Sequence, residues 1–276
     1  MWESGILADR FPELHRTRIN EEASMIRKNL VGIGLIVAGL VSTAVWAQTV
    51  DELIEKNIQA KGGREKIQAI KTLRLTGKRA MSQGTQSMEV PFTLEMARPD
   101  KMRVEFVVQG MTGIQTYDGK QGWMVMPFMG KTDPEPIADK QLEALQEQAD
   151  FDGPLMDYKT KGHQVELVGR EDLEGTPAWK LKITKKNGDL GYYWLDAETF
   201  LDLKASGKTN VNGQDIEGES WFGDYKETGG VLFAHSVENK VVGMPGSATI
   251  TIDKVEVNPD LPADRFGKPQ PAKKAQ

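Results

Sequence analysis

The chain has 276 residues, with 35 lysines and arginines against 40 aspartates and glutamates, a net charge of −5 and no cysteine. This mild acidity argues against a nucleic-acid partner and against a surface that clings to anionic lipid head groups. Without cysteine there is no disulfide framework, so packing alone has to hold the fold.

The first recognisable element is a secretory signal, "MIRKNLVGIGLIVAGLVSTAVWA", at residues 25–47. Arg27 and Lys28 form its positive n-region, Leu30 to Ala44 carries no charge, and Val45 and Ala47 supply the small-residue cleavage site before Gln48. The rival reading is a retained membrane anchor. An apolar run of about 18 residues lies at the lower edge of spanning length, and the cleavage site favours a cleaved signal and an exported protein. Residues 1–24 precede a signal that begins with its own methionine, and they read as an upstream extension with no structural role. Residues 48–268 are expected to form one domain.

That domain opens with "TVDELIEKNIQAKGG". Val50, Leu53, Ile54 and Ile58 recur at helical spacing, Asp51 and Glu52 suit the positive end of a helix dipole, and Gly62 and Gly63 stop the helix. "REKIQAI" adds a second short helical piece. From Leu73 the period changes to two. Met88, Val90, Phe92, Leu94 and Met96 share one face, while Glu89, Pro91, Thr93 and Glu95 share the other. In the next segment Met102, Val104, Phe106 and Val108 alternate with Lys101, Arg103, Glu105 and Gln109. These are half-buried antiparallel strands, separated by turn signals at Arg98-Pro99-Asp100, Gly110 and Asp118-Gly119.

"GWMVMPFMG", residues Gly122 to Gly130, breaks the one-sided pattern. Trp123 and Val125 point one way and Met124 and Met126 the other, so this strand needs core on one face and a helix or a ligand on the other. Pro127 ends its pairing, and Phe128 and Met129 are expected to turn toward the segment that follows. That segment, Asp133 to Gly162, is polar and helix-forming, with Ile137, Leu142, Leu145 and Ala149 as its apolar stripe. It interrupts a run of strands and is expected to lie across the sheet or at its mouth. Alternating strands then resume from His163 to Asn258, punctuated at Glu174-Gly175, Asn187-Gly188, Asn212-Gly213 and Gly229-Gly230, which indicates a large antiparallel sheet or barrel. Residues 269–276, rich in proline and lysine, read as a disordered tail.

Catalytic and metal chemistry find little support. His163 and His235 lie far apart in sequence and read as surface residues; no zinc-ligand spacing, nucleophile elbow or phosphate-binding glycine loop occurs. No pair of carboxylates stands out as general acid and base, so the chain reads as a non-enzyme with no cofactor and no metal. The skewed quantity is methionine: Met81, Met88, Met96, Met102, Met111, Met124, Met126 and Met129 crowd into one run of consecutive strands. They lack the dense spacing and neighbouring histidines of a copper(I) site. Core packing explains any single one, and a deformable wall for an apolar ligand explains the group. The candidate lining is Met88, Phe92 and Met96 on one strand and Met102, Val104 and Phe106 on the next. Met111 follows on a third, and Trp123, Met124, Met126, Phe128 and Met129 complete it.

"KNIQAKGGREKIQAIKTLRLTGK", "RPDKMRVEF", "YDGKQGWMVMPF", "YYWLDAETFLDLK" and "ITIDKVEVNPDLPADRFGKP" together resemble the bacterial outer-membrane lipoprotein-sorting, LolA-like, family through nearly all of Thr49 to Pro269. The resemblance implies a mainly β (α+β) fold: an incomplete barrel of roughly ten or eleven antiparallel strands, with helices covering the open side and an apolar cavity between. It implies a monomeric carrier in the periplasm that takes acyl chains of lipoproteins or other lipids from an inner-membrane donor to an outer-membrane acceptor. With no lipobox cysteine, the chain resembles the soluble carrier and not the lipid-anchored acceptor. The resemblance also implies an arginine that latches the helical lid; Arg74, Arg79, Arg98 and Arg103 all qualify by position. The alternative function is a periplasmic sensor that binds lipid or a partner without transporting it.

Overall fold

In the computed structural model, which describes residues 48–83, 86–211 and 214–272, the period-two segments become a single antiparallel sheet of thirteen strands. They are β1 (Thr72–Gln83), β2 (Gln86–Ala97), β3 (Lys101–Val108), β4 (Met111–Tyr117), β5 (Gly122–Met126), β6 (Lys131–Ile137) and β7 (Gln164–Leu173). β8 (Thr176–Thr184), β9 (Leu190–Asp196), β10 (Asp202–Val211), β11 (Gln214–Thr228), β12 (Val231–Val241) and β13 (Ser247–Val257) complete it. The expected signal and upstream extension lie outside the described residues.

Strands consecutive in sequence pair, except that β6 and β7 do not, and β1 also pairs with β13, so the order runs β6-β5-β4-β3-β2-β1-β13-β12-β11-β10-β9-β8-β7. β6 and β7 are therefore the two edges, and the sheet is open rather than closed into a barrel. The chain between these edges is the polar insertion. Its helix, α3 (Asp139–Ala149), is shorter than the sequence suggests, and residues 151–162 form turns. The count of thirteen exceeds the expected ten or eleven. One added strand is β6, whose Pro134 and Pro136 disguised it as part of the insertion. An edge strand tolerates prolines because one row of its backbone groups has no partner to serve.

Two helices precede the sheet. α1 (Val50–Ala60) starts at a capping box: Thr49 Oγ1 accepts from the Glu52 N–H at 3.2 Å, and Glu52 Oε2 accepts from the Thr49 N–H at 2.8 Å. Its apolar stripe, Leu53, Ile54 and Ile58, is buried against Leu181 and Ile183 of β8, Leu195 of β9 and Leu155 and Met156 of the insertion. The helix ends at Gly62, whose φ is +123°. A Cβ there would stand 2.3 Å from the Gly230 carbonyl oxygen in the β11–β12 turn. The Leu232 N–H closes this junction by donating to Lys61 O at 2.9 Å. Gly62→Ala is expected to cost about 2 kcal/mol, read as a lower urea midpoint with an unchanged slope. α2 (Arg64–Ala69) follows. A second core forms under α3, where Leu145 and Ala149 pack on Leu73, Met96, Met102 and Ile252. Both cores lie on one face of the sheet, the inner face.

The outer face of β3 to β5 is covered by the C-terminal chain. After β13 one 3-10 turn, Ala263–Phe266, buries Phe266 to 1 % exposure. The strap then crosses the strands: Arg103 Nη1 donates to Arg265 O at 3.1 Å, Thr116 Oγ1 donates to Gly267 O at 3.0 Å, and the Lys268 ammonium sits 4.8 Å above the Trp123 ring. Beneath it Glu95, 2 % exposed, accepts from Arg74 Nε at 2.9 Å and from Arg265 Nε. The tail expected to be disordered from Pro269 is attached further than that: Pro269 is buried, and the Ala272 N–H donates to Thr132 O of β6 at 2.8 Å.

Candidate functional site

The inner faces of β2 and β3 form the floor of a cavity of about 660 Å³. In the strand register Phe92 stands opposite Phe106 and Leu94 opposite Val104, and all four side chains are only half-buried. Met102, 2 % exposed, closes the deep end. Ile250 of β13 and Gln115 of β4 contribute walls, Gln148 reaches in from α3, and Phe128 leans over from a 3-10 turn, Pro127–Met129. Gly113, directly opposite Phe106 on β4, makes room for this arrangement. A Cβ at that position would come within 2.8 Å of both the Phe106 and Phe128 rings. With only hydrogen there, the two rings meet edge-on at a centroid distance of 5.8 Å.

Of the residues singled out from sequence, the fold brings six to this cavity: Met88, Phe92, Met102, Val104, Phe106 and Phe128. Met88 is also 46 % exposed, at the rim. The others go elsewhere. Met96 and Met124 pack in the adjoining core under α3, and Met126 is buried. Trp123 faces the strap, and Met111 borders an outer cleft of about 770 Å³ between the strap and β3–β4. Met129 is 66 % exposed and is not part of the lining. Val90, Leu94 and Val108 also line the cavity; they share the alternating face already visible in the sequence. Ile250 and Gln148 carried no such signal, because their proximity depends on β1 pairing with β13 and on where α3 lands.

The four candidate latch arginines separate cleanly. Arg74 and Arg103 lie on the outer face with Glu95 and Glu105. Arg79 lies on the inner face at the cavity. Arg98, in the turn after β2, ties the helical cover together: Nε donates to Ile70 O at 2.7 Å and Nη2 to Ile67 O at 3.0 Å. Its other two bonds form a fork on Asp152, with Nη1 at 2.7 Å from Oδ2 and Nη2 at 2.6 Å from Oδ1. The guanidinium also lies 4.4 Å from the centroid of the Phe151 ring. One side chain thus joins the end of α2, the end of β2 and the insertion.

The histidines sit apart from the cavity lining. His163 Nδ1 accepts the Lys186 N–H at 3.1 Å, and burial, followed by the nearby Lys161 charge, holds its pKa below the ordinary value. His235 is not a surface residue: it is 6 % exposed, with Nδ1 2.7 Å from Ile252 O. Burial pushes the Tyr117 phenol above its ordinary range, with a hydrogen bond involving Gln146 opposing the shift. Among the described residues no three His, Asp or Glu side chains converge as a metal site would require.

No protein-family model matches the sequence, and no curated protein matches it either. Solved structures do resemble it. A DUF1329 family protein from Desulfovibrio piger superposes with a TM-score of 0.58 at 13 % identity, over 80 % of this chain and 98 % of its own. A LolA superfamily protein from Nitrosomonas europaea gives 0.57 at 13 % identity, over 80 % and 99 %. An outer membrane lipoprotein-sorting protein domain from Vibrio parahaemolyticus gives 0.51 at 13 % identity, over 78 % and 97 %. At these identities the likeness is one of fold.

Proposed function

We propose, from the premise that this chain has the LolA-like fold, that it is an exported carrier which shields acyl chains in its inner cavity. In this reading residues 25–47 direct it to the periplasm, where it takes lipoprotein acyl chains or another lipid from an inner-membrane donor toward an outer-membrane acceptor. The observation that carries the proposal is the apolar cavity itself. About 660 Å³ of space faced by half-buried Phe92, Leu94, Val104, Phe106 and Phe128 is within the size range of small-molecule sites. An all-purpose core would have closed over these side chains.

Its mechanism needs no covalent step. Each methylene moved out of water is worth about 0.8 kcal/mol. Ten of them offer about 8 kcal/mol, which corresponds to micromolar affinity before ordering costs. That is tight enough to cross an aqueous gap and weak enough to hand the cargo on. Because the Arg98 fork joins α2 to the insertion, loosening it offers a route for opening the cover.

Lipid extraction and mass spectrometry of protein purified from the periplasm should find acyl-containing species, and the emptied protein should take up a fluorescent fatty acid. Phe106→Asp and Phe92→Asp should each weaken that uptake at least roughly tenfold, since both place a charge on one cavity floor. Cooperative melting of the variants distinguishes this from unfolding. A lipid-free protein with no fatty-acid uptake would sink the proposal.

A further inference from the structure

The cavity has a single charged residue in its lining, Arg79, and no carboxylate. Arg79 is on β1, on the same face as Leu73 and Leu75, toward the end of the sheet where the β1–β2 and β12–β13 turns lie. Arg74, Arg98, Arg103 and Arg265 each hold a carboxylate. Among the described residues Arg79 makes neither an ion pair nor a side-chain hydrogen bond, and it is exposed. A guanidinium has five donors in a planar fork suited to a carboxylate or a phosphate, and here all five are open to a ligand.

What lies on its other side strengthens this reading. Arg79 also borders a second hollow of about 530 Å³ beneath the β12–β13 turn, where Ser220 and Asn239 contribute polar groups. Ser220 Oγ donates to Asn239 Oδ1 at 2.7 Å, so the amide N–H groups of Asn239 remain available as donors. The carboxylate of that hollow, Glu219, is held by Lys204 Nζ at 2.6 Å. Arg79 thus stands at the junction between the apolar slot and a second hollow in which Asn239 offers spare donors.

The distances suit an amphiphile. Register carries Arg79 to Val90, and Leu73 to Met96 and on to Met102. Six residues of strand therefore separate the arginine from the deep end, about 20 Å at 3.3 Å per residue. One leaflet of a bilayer's hydrocarbon core is about 15 Å deep, so an extended acyl chain fits between them. Resting on the carrier reading above, we propose that the cargo class is anionic amphiphiles: a carboxylate or phosphate head held by the Arg79 fork, with Asn239 beside it, and an acyl chain laid between β2 and β3 as far as Met102.

The test compares a long-chain fatty acid with the fatty alcohol of equal length, each displacing a fluorescent apolar probe from the delipidated protein at pH 7. The acid should bind roughly 10- to 100-fold more tightly than the alcohol, the range expected for hydrogen bonds to a charged group. Arg79→Gln should erase that preference while leaving alcohol affinity within about twofold, and Arg79→Lys should restore part of it. Inorganic phosphate at millimolar concentration should not displace the acid if the site reads a head group on a chain; displacement would identify a free-anion site and overturn the amphiphile assignment. Equal affinity for acid and alcohol, or an unchanged preference in Arg79→Gln, would overturn the head-group site and leave the carrier reading standing. Failure of both lipids to bind would remove both.

Discussion

Arg98→Leu is expected to destabilise the domain by about 3–5 kcal/mol, the usual cost of leaving one partner of a buried ion pair alone. Arg98 and Asp152 each have side chains only 18 % exposed, so little water can replace the fork. The substitution also strips donors from the Ile67 and Ile70 carbonyls and removes the cation from the Phe151 ring. Arg98→Lys keeps a charge but cannot reproduce two parallel bonds to Asp152 plus two to carbonyls, and it should lose about half as much. Asp152→Asn combined with Arg98→Leu should recover part of the loss, because no bare carboxylate then remains. Urea unfolding of wild type, Arg98→Leu, Asp152→Asn and the double variant closes the cycle. If Arg98 is a latch as well as a brace, Arg98→Lys should also release bound fatty acid faster than wild type at a denaturant-free temperature where both are fully folded. An Arg98→Leu loss below about 1 kcal/mol would show that water screens this pair after all.

Much of the fold was written in hydrophobic period. The floor of the cavity was legible because β2 and β3 alternate without error, and a one-residue slip would turn Phe92 and Phe106 outward. What stayed hidden was long-range. Nothing in the residues of β13 announces β1 as its partner, so Ile250 could not be assigned to the cavity. Pro134 and Pro136 argue against a strand locally, and they are permitted only because β6 proves to be an edge. The two-sided apolar strand β5 was read correctly as covered on both faces, but the cover on Trp123 is neither helix nor ligand. It is the proline-rich strap, whose composition resembles a disordered tail. Its order comes from the groups that it meets: Thr116, Arg103 and Trp123 on the strands. Arginines were the hardest to sort, since Arg74, Arg79, Arg98 and Arg103 differ little in local sequence and take three different roles.

The strap supplies the second large expected effect. Glu95→Ala should cost about 3–5 kcal/mol, because Glu95 is a buried carboxylate answered by Arg74 from β1 and by Arg265 from the strap. Removing it leaves two guanidinium groups facing each other beneath residues that have just lost their anchor. Glu105 can hold Arg265 Nη2, at 3.1 Å, but it already serves Arg103 Nε at 2.7 Å, so it cannot satisfy both arginines as well as two carboxylates do. The strap should therefore lift as a unit, and because Phe266 is almost fully buried its departure would expose the ring and the outer face of β4 and β5 together. Limited trypsin digestion should then cut after Arg265 in Glu95→Ala while the wild type resists. Glu95→Gln, which keeps acceptor and shape but not charge, should fall between the two in both stability and protection. Full protection of the strap in Glu95→Ala would mean that Phe266 packing and the Thr116 bond hold it alone. Phe266→Ala would then be the substitution that releases it, at a cost of about 3–5 kcal/mol for an emptied aromatic site.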